Sequence, residues 1–491
     1  MFINQLKDNL VSNLWLVSKS ILDLPFAGEL IKQFDCVGVS SIVSDGFKDK
    51  NDLTLNLSNP VFSPWHGYLD QIGSTLVKVS QTWELPLTSF SISGKSILFN
   101  VNREVAIPLI LSNNIQLDQP SNSKNDCQQS TVLIVNTMRD NLRQLTCLRF
   151  QYIEETLVSL LKTIGASTKT INSTQTITEC GKFNYCDDEK LNTNDIEKGL
   201  QFDDCSPLEI NIDPFKSNLP YDLEESQFTI EPGSRLMSFL RLFSQLLIPS
   251  ELQLSSKSRI VILIHINDWK IGEKAITSWS VLTSTSIDQL KWINFIPIAD
   301  IISDLTLDEI KNHWRSIIVK QSETQYTDDQ VNCLIETCLR YTITSISPKA
   351  FHNLDLSKYK EALFIQYNYA RLVGITRKFQ QLTTPLPEVR VDVRLLKSNQ
   401  EWNLIYNFLA KVPVLLNEIL QSNPIAIHKI PYFVKTFVNY ISIYYNYTRV
   451  ITEINDRSLP LANARIVMID KIRTILHQLV NLIQIDPVQY M

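Results

Sequence analysis

From Leu356 onward, six of the seven prolines, Pro385, Pro387, Pro413, Pro424, Pro431 and Pro460, divide the chain into segments whose apolar residues recur at helical spacing. A proline lacks the amide donor and its ring clashes with the preceding turn, so it marks where a helix starts or stops. The pattern predicts four or five helices packed as a bundle over residues 355–491. The chain as a whole has the composition of a folded protein and not of a disordered tail, with 44% apolar residues, 20% charged residues and only 12 Gly.

A chain of 491 residues exceeds what one hydrophobic core organises, so two or three domains are expected. Residues 1–115 open with helical periodicity and turn to strand-like runs such as Ser91-Ile92-Ser93, which reads as a small α+β domain. Residues 116–129 are polar, carry Pro120, and form a linker. Over residues 130–350 the reading is an α/β domain. Its strand candidates are Thr131-Val132-Leu133-Ile134-Val135, Arg259 through Ile264 and Trp292 through Ile298. A long amphipathic helix over 142–164 closes at Gly165, and residues 167–226 read as an acidic insertion of weak periodicity.

Charge separates the C-terminal third from the rest. From Asp355 to the end there are 16 Lys and Arg against 10 Asp and Glu, a balance of +6 in a chain whose total is −5. A basic module on an acidic body is the arrangement an anionic partner favours. The first residues, Met1-Phe2-Ile3-Asn4-Gln5-Leu6-Lys7-Asp8-Asn9, interrupt any apolar run with polar groups, and no apolar run of about 18 residues occurs. No membrane association is expected, and the location is read as cytoplasmic.

The short motifs that suggest chemistry fall away on spacing. Ser93-Gly94-Lys95-Ser96 resembles the end of a phosphate loop, but position 89 is Ser where that loop needs a second Gly. A turn between strands is the expectation. The six His have no H-x-x-x-H or H-x-H pair, and the eight Cys include no C-x-x-C, so no metal is expected and the thiols read as reduced and structural. Asp187-Asp188-Glu189 lies in the acidic insertion and reads as solvated charge. No G-x-S-x-G elbow appears. Tyr440, Tyr444 and Tyr447 share one helix face by their i, i+4, i+7 spacing, with Arg449 close behind. Such a stripe serves either as core or as a stacking surface for unpaired RNA bases, and spacing alone leaves both open.

The segment Phe364-Ile365-Gln366-Tyr367-Asn368-Tyr369-Ala370-Arg371-Leu372-Val373-Gly374-Ile375-Thr376-Arg377-Lys378 resembles the helix that opens the anticodon-binding domain of arginyl-tRNA synthetases. Leu339-Arg340-Tyr341 is similar to the end of the Asp-Ala-Leu-Arg-Tyr string that precedes it, with Thr337 and Cys338 in place of the first two residues. Further ordered likenesses follow in Glu401-Trp402, in Pro431-Tyr432 through Arg449-Val450, and in Leu459-Pro460 through the terminal Tyr490-Met491. The resemblance implies a multidomain chain: an α+β N-terminal domain, a degenerate Rossmann-like α/β middle domain and an all-α anticodon-binding bundle of the DALR type. It also implies that Arg371, Arg377, Lys378, Arg449, Arg465, Lys471 and Arg473 contact phosphates. Tyr444, Tyr447, Tyr490 and Met491 would lie near anticodon-loop bases.

The middle region departs from the synthetase pattern. Where that family has His-x-Gly-His after the first strand, this chain has Asn136-Thr137-Met138-Arg139, and it has no Lys-Met-Ser-Lys-Ser string. Both motifs stabilise charge on ATP phosphates, so catalysis is not expected, and no cofactor is expected. A synthetase-like body without catalytic motifs, joined to a retained anticodon-binding domain, resembles the third of the animal DALR anticodon-binding-domain-containing families. That resemblance implies an adaptor that binds arginine tRNAs and delivers them to a methyltransferase forming 3-methylcytidine in the anticodon loop. A diverged synthetase and a protein-interaction scaffold without RNA binding are the alternatives.

Overall fold

The structure, a computed structural model, describes residues 2–22, 37–39, 52–112, 131–138, 142–172, 184–185, 208–211, 227–231, 234–246, 259–282, 293–321, 326–382, 391–451 and 457–489. The first module sets helix α1 (Phe2–Leu22) against α2 (Leu69–Val79), with α2 lying on a four-stranded antiparallel sheet. The strands are β1 (Val37–Val39), β2 (Leu53–Asn56), β3 (Leu87–Ser93) and β4 (Ser96–Val101), in the order β1-β2-β4-β3. The Ser-Gly-Lys-Ser string is the turn of the β3–β4 hairpin, with Ser93 paired to Ser96 and Gly94 at φ +58°. A side chain adopts that left-handed conformation only under strain. Helix α3 (Arg103–Ser112) follows β4 directly.

The middle sheet has the order β11-β10-β5-β6-β7. Strands β5 (Thr131–Asn136), β6 (Ser167–Asn172), β10 (Arg259–His265) and β11 (Ile293–Ile298) run parallel, and β7 (Asn184–Tyr185) closes one edge antiparallel. The side-chain period of two divides each strand between two cores. Val132, Ile134, Val261, Leu263, Ile296 and Ile298 face the larger core, shared with helix α4 (Gln144–Thr163). Leu133, Val135, Ile260, Ile262, Ile264 and Phe295 face a second core with helices α5 (Arg235–Leu246) and α6 (Trp269–Leu282). A hairpin of β8 (Leu208–Asn211) and β9 (Gln227–Ile230) inserts Ile210 and Ile230 there. Helix α4 ends as expected, at Gly165 with φ +79°.

The insertion expected over 167–226 starts later than the sequence suggests, because Ser167–Asn172 is a core-sheet strand paired along its length with β5. Its sequence, STKTIN, is polar because it lies towards the sheet edge, and so it lacks the apolar run that marks β5 and β10. Asp187, Asp188 and Glu189 lie outside the described residues.

Beyond β11 come β12 (Ile301–Ile302), α7 (Leu307–Gln321), α8 (Asp328–Thr344) and β13 (His352–Asn353). The C-terminal bundle then comprises α9 (Tyr359–Leu382), a helical stretch over 399–411, α10 (Val412–Gln421), α11 (Lys429–Tyr447) and α12 (Leu459–Leu482). Pro413 and Pro460 sit in the first turns of α10 and α12, where a missing amide donor has no acceptor to lose. Pro431 is likewise near the start of α11.

Among the described residues, several bonds join the bundle to the rest. The Leu-Arg-Tyr string bridges α4 and α9: Arg340 donates to Glu155 at 2.5 Å and lies over the Tyr152 ring at 4.3 Å, while the buried Tyr341 hydroxyl donates to Glu361 at 2.8 Å. At the N-terminal module, buried Asp52 accepts from the Trp402 indole at 2.7 Å and from the Val101 amide at 2.8 Å. Arg103 reaches the same indole, 5.3 Å from its centroid, and donates to Asn399 at 2.7 Å.

Candidate nucleic-acid interface

Helix α9 presents one exposed stripe. Tyr367, Arg371 and Lys378 stand four and seven residues apart, which places them on one face. Tyr367 is 48% exposed and Lys378 is exposed. The Arg371 guanidinium lies over the half-buried Tyr445 ring of α11 at 4.8 Å, so the stripe continues onto the next helix. Gly374 is part of it, and a Cβ there would meet nothing within 4 Å. At the end of α11, Tyr447 is 75% exposed, and Arg449 is exposed just past it. A cation held over a ring, on a helix face that also carries an exposed ring and an exposed ammonium, can stack on a splayed base and pair with the phosphates flanking it.

Gln366, beside Tyr367, faces inward. Its amide donates to the Asp486 carbonyl at 3.1 Å and accepts from the Val488 amide at 2.8 Å, which ties the C-terminal segment to α9. Tyr369 also turns inward, its hydroxyl 3.3 Å from His477 Nδ1.

Several expected contacts are corrected by the structure. Tyr444 is 1% exposed, its hydroxyl donating to the buried Glu401 at 3.4 Å, and burial with Glu401 nearby drives its pKa well up. It is a core residue and cannot reach an RNA base. Arg465 donates to Glu401 at 2.9 Å and to the Arg449 carbonyl at 3.2 Å, so its guanidinium fastens α12 to α11. Arg473 is paired with Asp470 at 2.7 Å. Arg377, about a quarter-turn from Lys378, and Lys471 are half-buried and already engaged, and burial lowers the Lys471 pKa. Tyr490 and Met491 lie outside the described residues. Of the tyrosine stripe, Tyr444 is core, Tyr440 half-buried and Tyr447 exposed. Sequence reasoning missed Tyr367; its place one turn before Arg371 was the available signal.

The middle sheet has its topological switch between β5 and β10, the position where parallel sheets hold ligands beyond their carboxyl ends. Here Thr137 donates to the Leu263 carbonyl through both its amide, at 3.0 Å, and its hydroxyl, at 2.9 Å, joining the two strand ends. Asn136 donates to Glu154 at 2.5 Å and accepts from the Met138 amide at 3.0 Å. In the first turn of α4, Thr146 donates to Asp300 at 3.0 Å, and the other Asp300 oxygen lies 3.4 Å from His265 Nε2. Buried Arg149 donates to the carbonyls of Ala299, Ala350 and Ser347 at 2.6–3.0 Å, and burial lowers its pKa to about 10 despite Asp300. Among the described residues, no group of His, Cys, Asp and Glu could hold a metal ion, and no helix is long and apolar enough to cross a membrane.

Comparison with known proteins follows the same division. Residues 365–491 match the family model of the DALR anticodon binding domain. The arginine–tRNA ligase of Desulforamulus reducens is 29% identical over 152 residues, a stretch that spans 29% of this chain and 26% of that ligase. The arginyl-tRNA synthetase of Thermus thermophilus superposes over 93% of this chain and 96% of its own, with a TM-score of 0.63 and 11% identity. That of Plasmodium falciparum does so over 99% of each chain, again at 0.63 and 11%. The class is a multidomain arginyl-tRNA-synthetase-like fold. Its last module is a DALR anticodon-binding domain.

Proposed function

We propose that this chain is a non-catalytic tRNA adaptor, which recognises arginine tRNAs through the DALR bundle and presents them to a methyltransferase that forms 3-methylcytidine in the anticodon loop. The observation that carries the RNA-binding part is the α9 face, where Arg371 lies over Tyr445 of α11 and exposed Tyr367 and Lys378 share its stripe. The non-catalytic part is supported by the switch point of the middle sheet. The Asp300 carboxylate stands at the first turn of α4, the end of a helix that in a nucleotide-binding sheet attracts phosphate. A triphosphate there would face a negative charge, with Thr137 and Arg149 already spent on backbone carbonyls. The delivery part is supported by the charge balance, +6 from Asp355 onward in a chain of −5, which leaves the body free to meet a protein while the bundle holds RNA.

The test is a filter-binding comparison of purified chain with arginine tRNA and unrelated tRNAs at physiological salt. Selective binding that weakens steeply with salt is expected. Equal affinity for all tRNAs would remove the adaptor reading. Arginine-dependent ATP–pyrophosphate exchange would replace it with that of a synthetase.

A further inference from the structure

Beyond the switch point, the short parallel ribbon of β12 and β13 pairs Ile301 with His352 and Ile302 with Asn353. Paired residues of parallel strands point to the same side, and neighbours along a strand alternate. Ile301 is buried, so Ile302 and Asn353 face outward. The register, continued by the His352 amide donating to the Asp300 carbonyl, brings Phe351 to that outward side, diagonal to Ile302. Phe351 is 56% exposed, Ile302 40%, and Leu305 in the following turn 38%. Three large apolar side chains within a few residues of one ribbon form a patch, in contrast to the isolated exposed residues found on any surface.

The rim of the patch is acidic on its β12 side, where Asp304, Asp308 and Glu309 are exposed around Leu305. On the β13 side, exposed Asp355 is balanced by Lys349 and by the nearby charge of Lys358. Carboxylates around an apolar centre repel nucleic acid and complement a cationic protein surface that carries an apolar anchor. An enzyme that acts on RNA has such a surface, because it must itself attract phosphates.

We infer that the face centred on Phe351, Ile302 and Leu305 is a docking surface for a basic protein, namely the RNA-modifying enzyme to which the chain delivers its tRNA. The inference rests on the delivery reading above and adds the place of contact. Phe351 serves as the anchor, since exposed aromatics that become buried dominate binding energy at interfaces. Asp304 and Asp308 steer the encounter. The patch lies on the middle module, at the end of the sheet beyond β10 and β11.

The test measures calorimetric affinity of the full chain for a purified tRNA 3-methylcytidine methyltransferase, at two salt concentrations, with arginine-tRNA affinity measured in parallel. Phe351→Ala is expected to weaken enzyme binding about 10-fold or more. The pair Asp304→Lys and Asp308→Lys is expected to weaken it several-fold and flatten its salt dependence. Both variants should bind arginine tRNA as the parent does, which also shows that they fold. If the parent binds the enzyme and both variants bind within about twofold of it, the surface is wrong and the delivery reading stands. If the parent binds arginine tRNA but not the enzyme, both fall.

Discussion

Arg371 offers a plane over Tyr445 and a charge on the helix face it shares with exposed Lys378, and substitution separates the two. Arg371→Ala should lower arginine-tRNA affinity by about 1–2 kcal/mol and reduce the logarithmic salt slope by about 1. Arg371→Lys should restore the slope and only part of the affinity, because an ammonium keeps the charge but loses the planar stack. If titrations show both variants with the parent's slope, Arg371 does not touch phosphate. Tyr444→Phe is the contrasting case: it removes a 3.4 Å bond to Glu401 in the core, and should lower stability by about 0.5–1.5 kcal/mol while leaving tRNA affinity unchanged. The contrast shows where sequence reasoning stops. The i, i+4, i+7 spacing correctly groups Tyr440, Tyr444 and Tyr447 along one helix, but Tyr444 is 1% exposed against Glu401, a residue distant in sequence, while Tyr447 is 75% exposed. Arg465 was misread for a related reason. A cation opposite a buried carboxylate, here Glu401 from a distant segment, has no local signature.

Elements were legible where a local rule governs them. The prolines mark the starts of α10, α11 and α12, and the apolar runs of β5, β10 and β11 mark strands buried on both faces. Polar β6 was hidden, since only its pairing with β5 makes it a strand. Helix α9 shows how one element divides its motif, with Gln366 holding residues 486–488 and Tyr367 left to solvent. Gln366→Ala would leave the Val488 amide without its acceptor, at a stability loss of about 1–3 kcal/mol. Hydrogen exchange at Val488 should then accelerate strongly while exchange in the middle of α9 changes little. Unchanged protection at Val488 would show that Gln366 is not what holds the C-terminal segment.

At the scale of the molecule, the basic bundle and the N-terminal module meet through Asp52 and Trp402. Burial raises the Asp52 pKa in spite of the indole and amide donors. A double-mutant cycle of Asp52→Asn and Trp402→Phe should give a coupling of about 1–3 kcal/mol in urea unfolding, since Asn can accept from one donor but not both. Lys411 lies at the same junction, where burial lowers its pKa from 10.5 to about 8 while Asp52 and Glu418 pull the other way. Its effect on stability has a definite sign. Between about pH 8 and 10.5 the unfolded chain holds the Lys411 proton more tightly than the folded one, so stability rises with pH across that window. Below pH 8 both states hold the proton, and the full unfavourable contribution of the buried charge is present. The buried tyrosines act oppositely but only above about pH 10, where unfolded tyrosine begins to ionise. The thiols of Cys333 and Cys338 also act oppositely, since burial raises them, Cys338 to about 12, and the unfolded chain ionises them near pH 9. The lysine is therefore isolated by difference: in urea unfolding at pH 7.5, 8.5 and 9.5 the parent should gain about 1–2 kcal/mol relative to Lys411→Met. If the parent and Lys411→Met change alike with pH, the titrating group lies elsewhere.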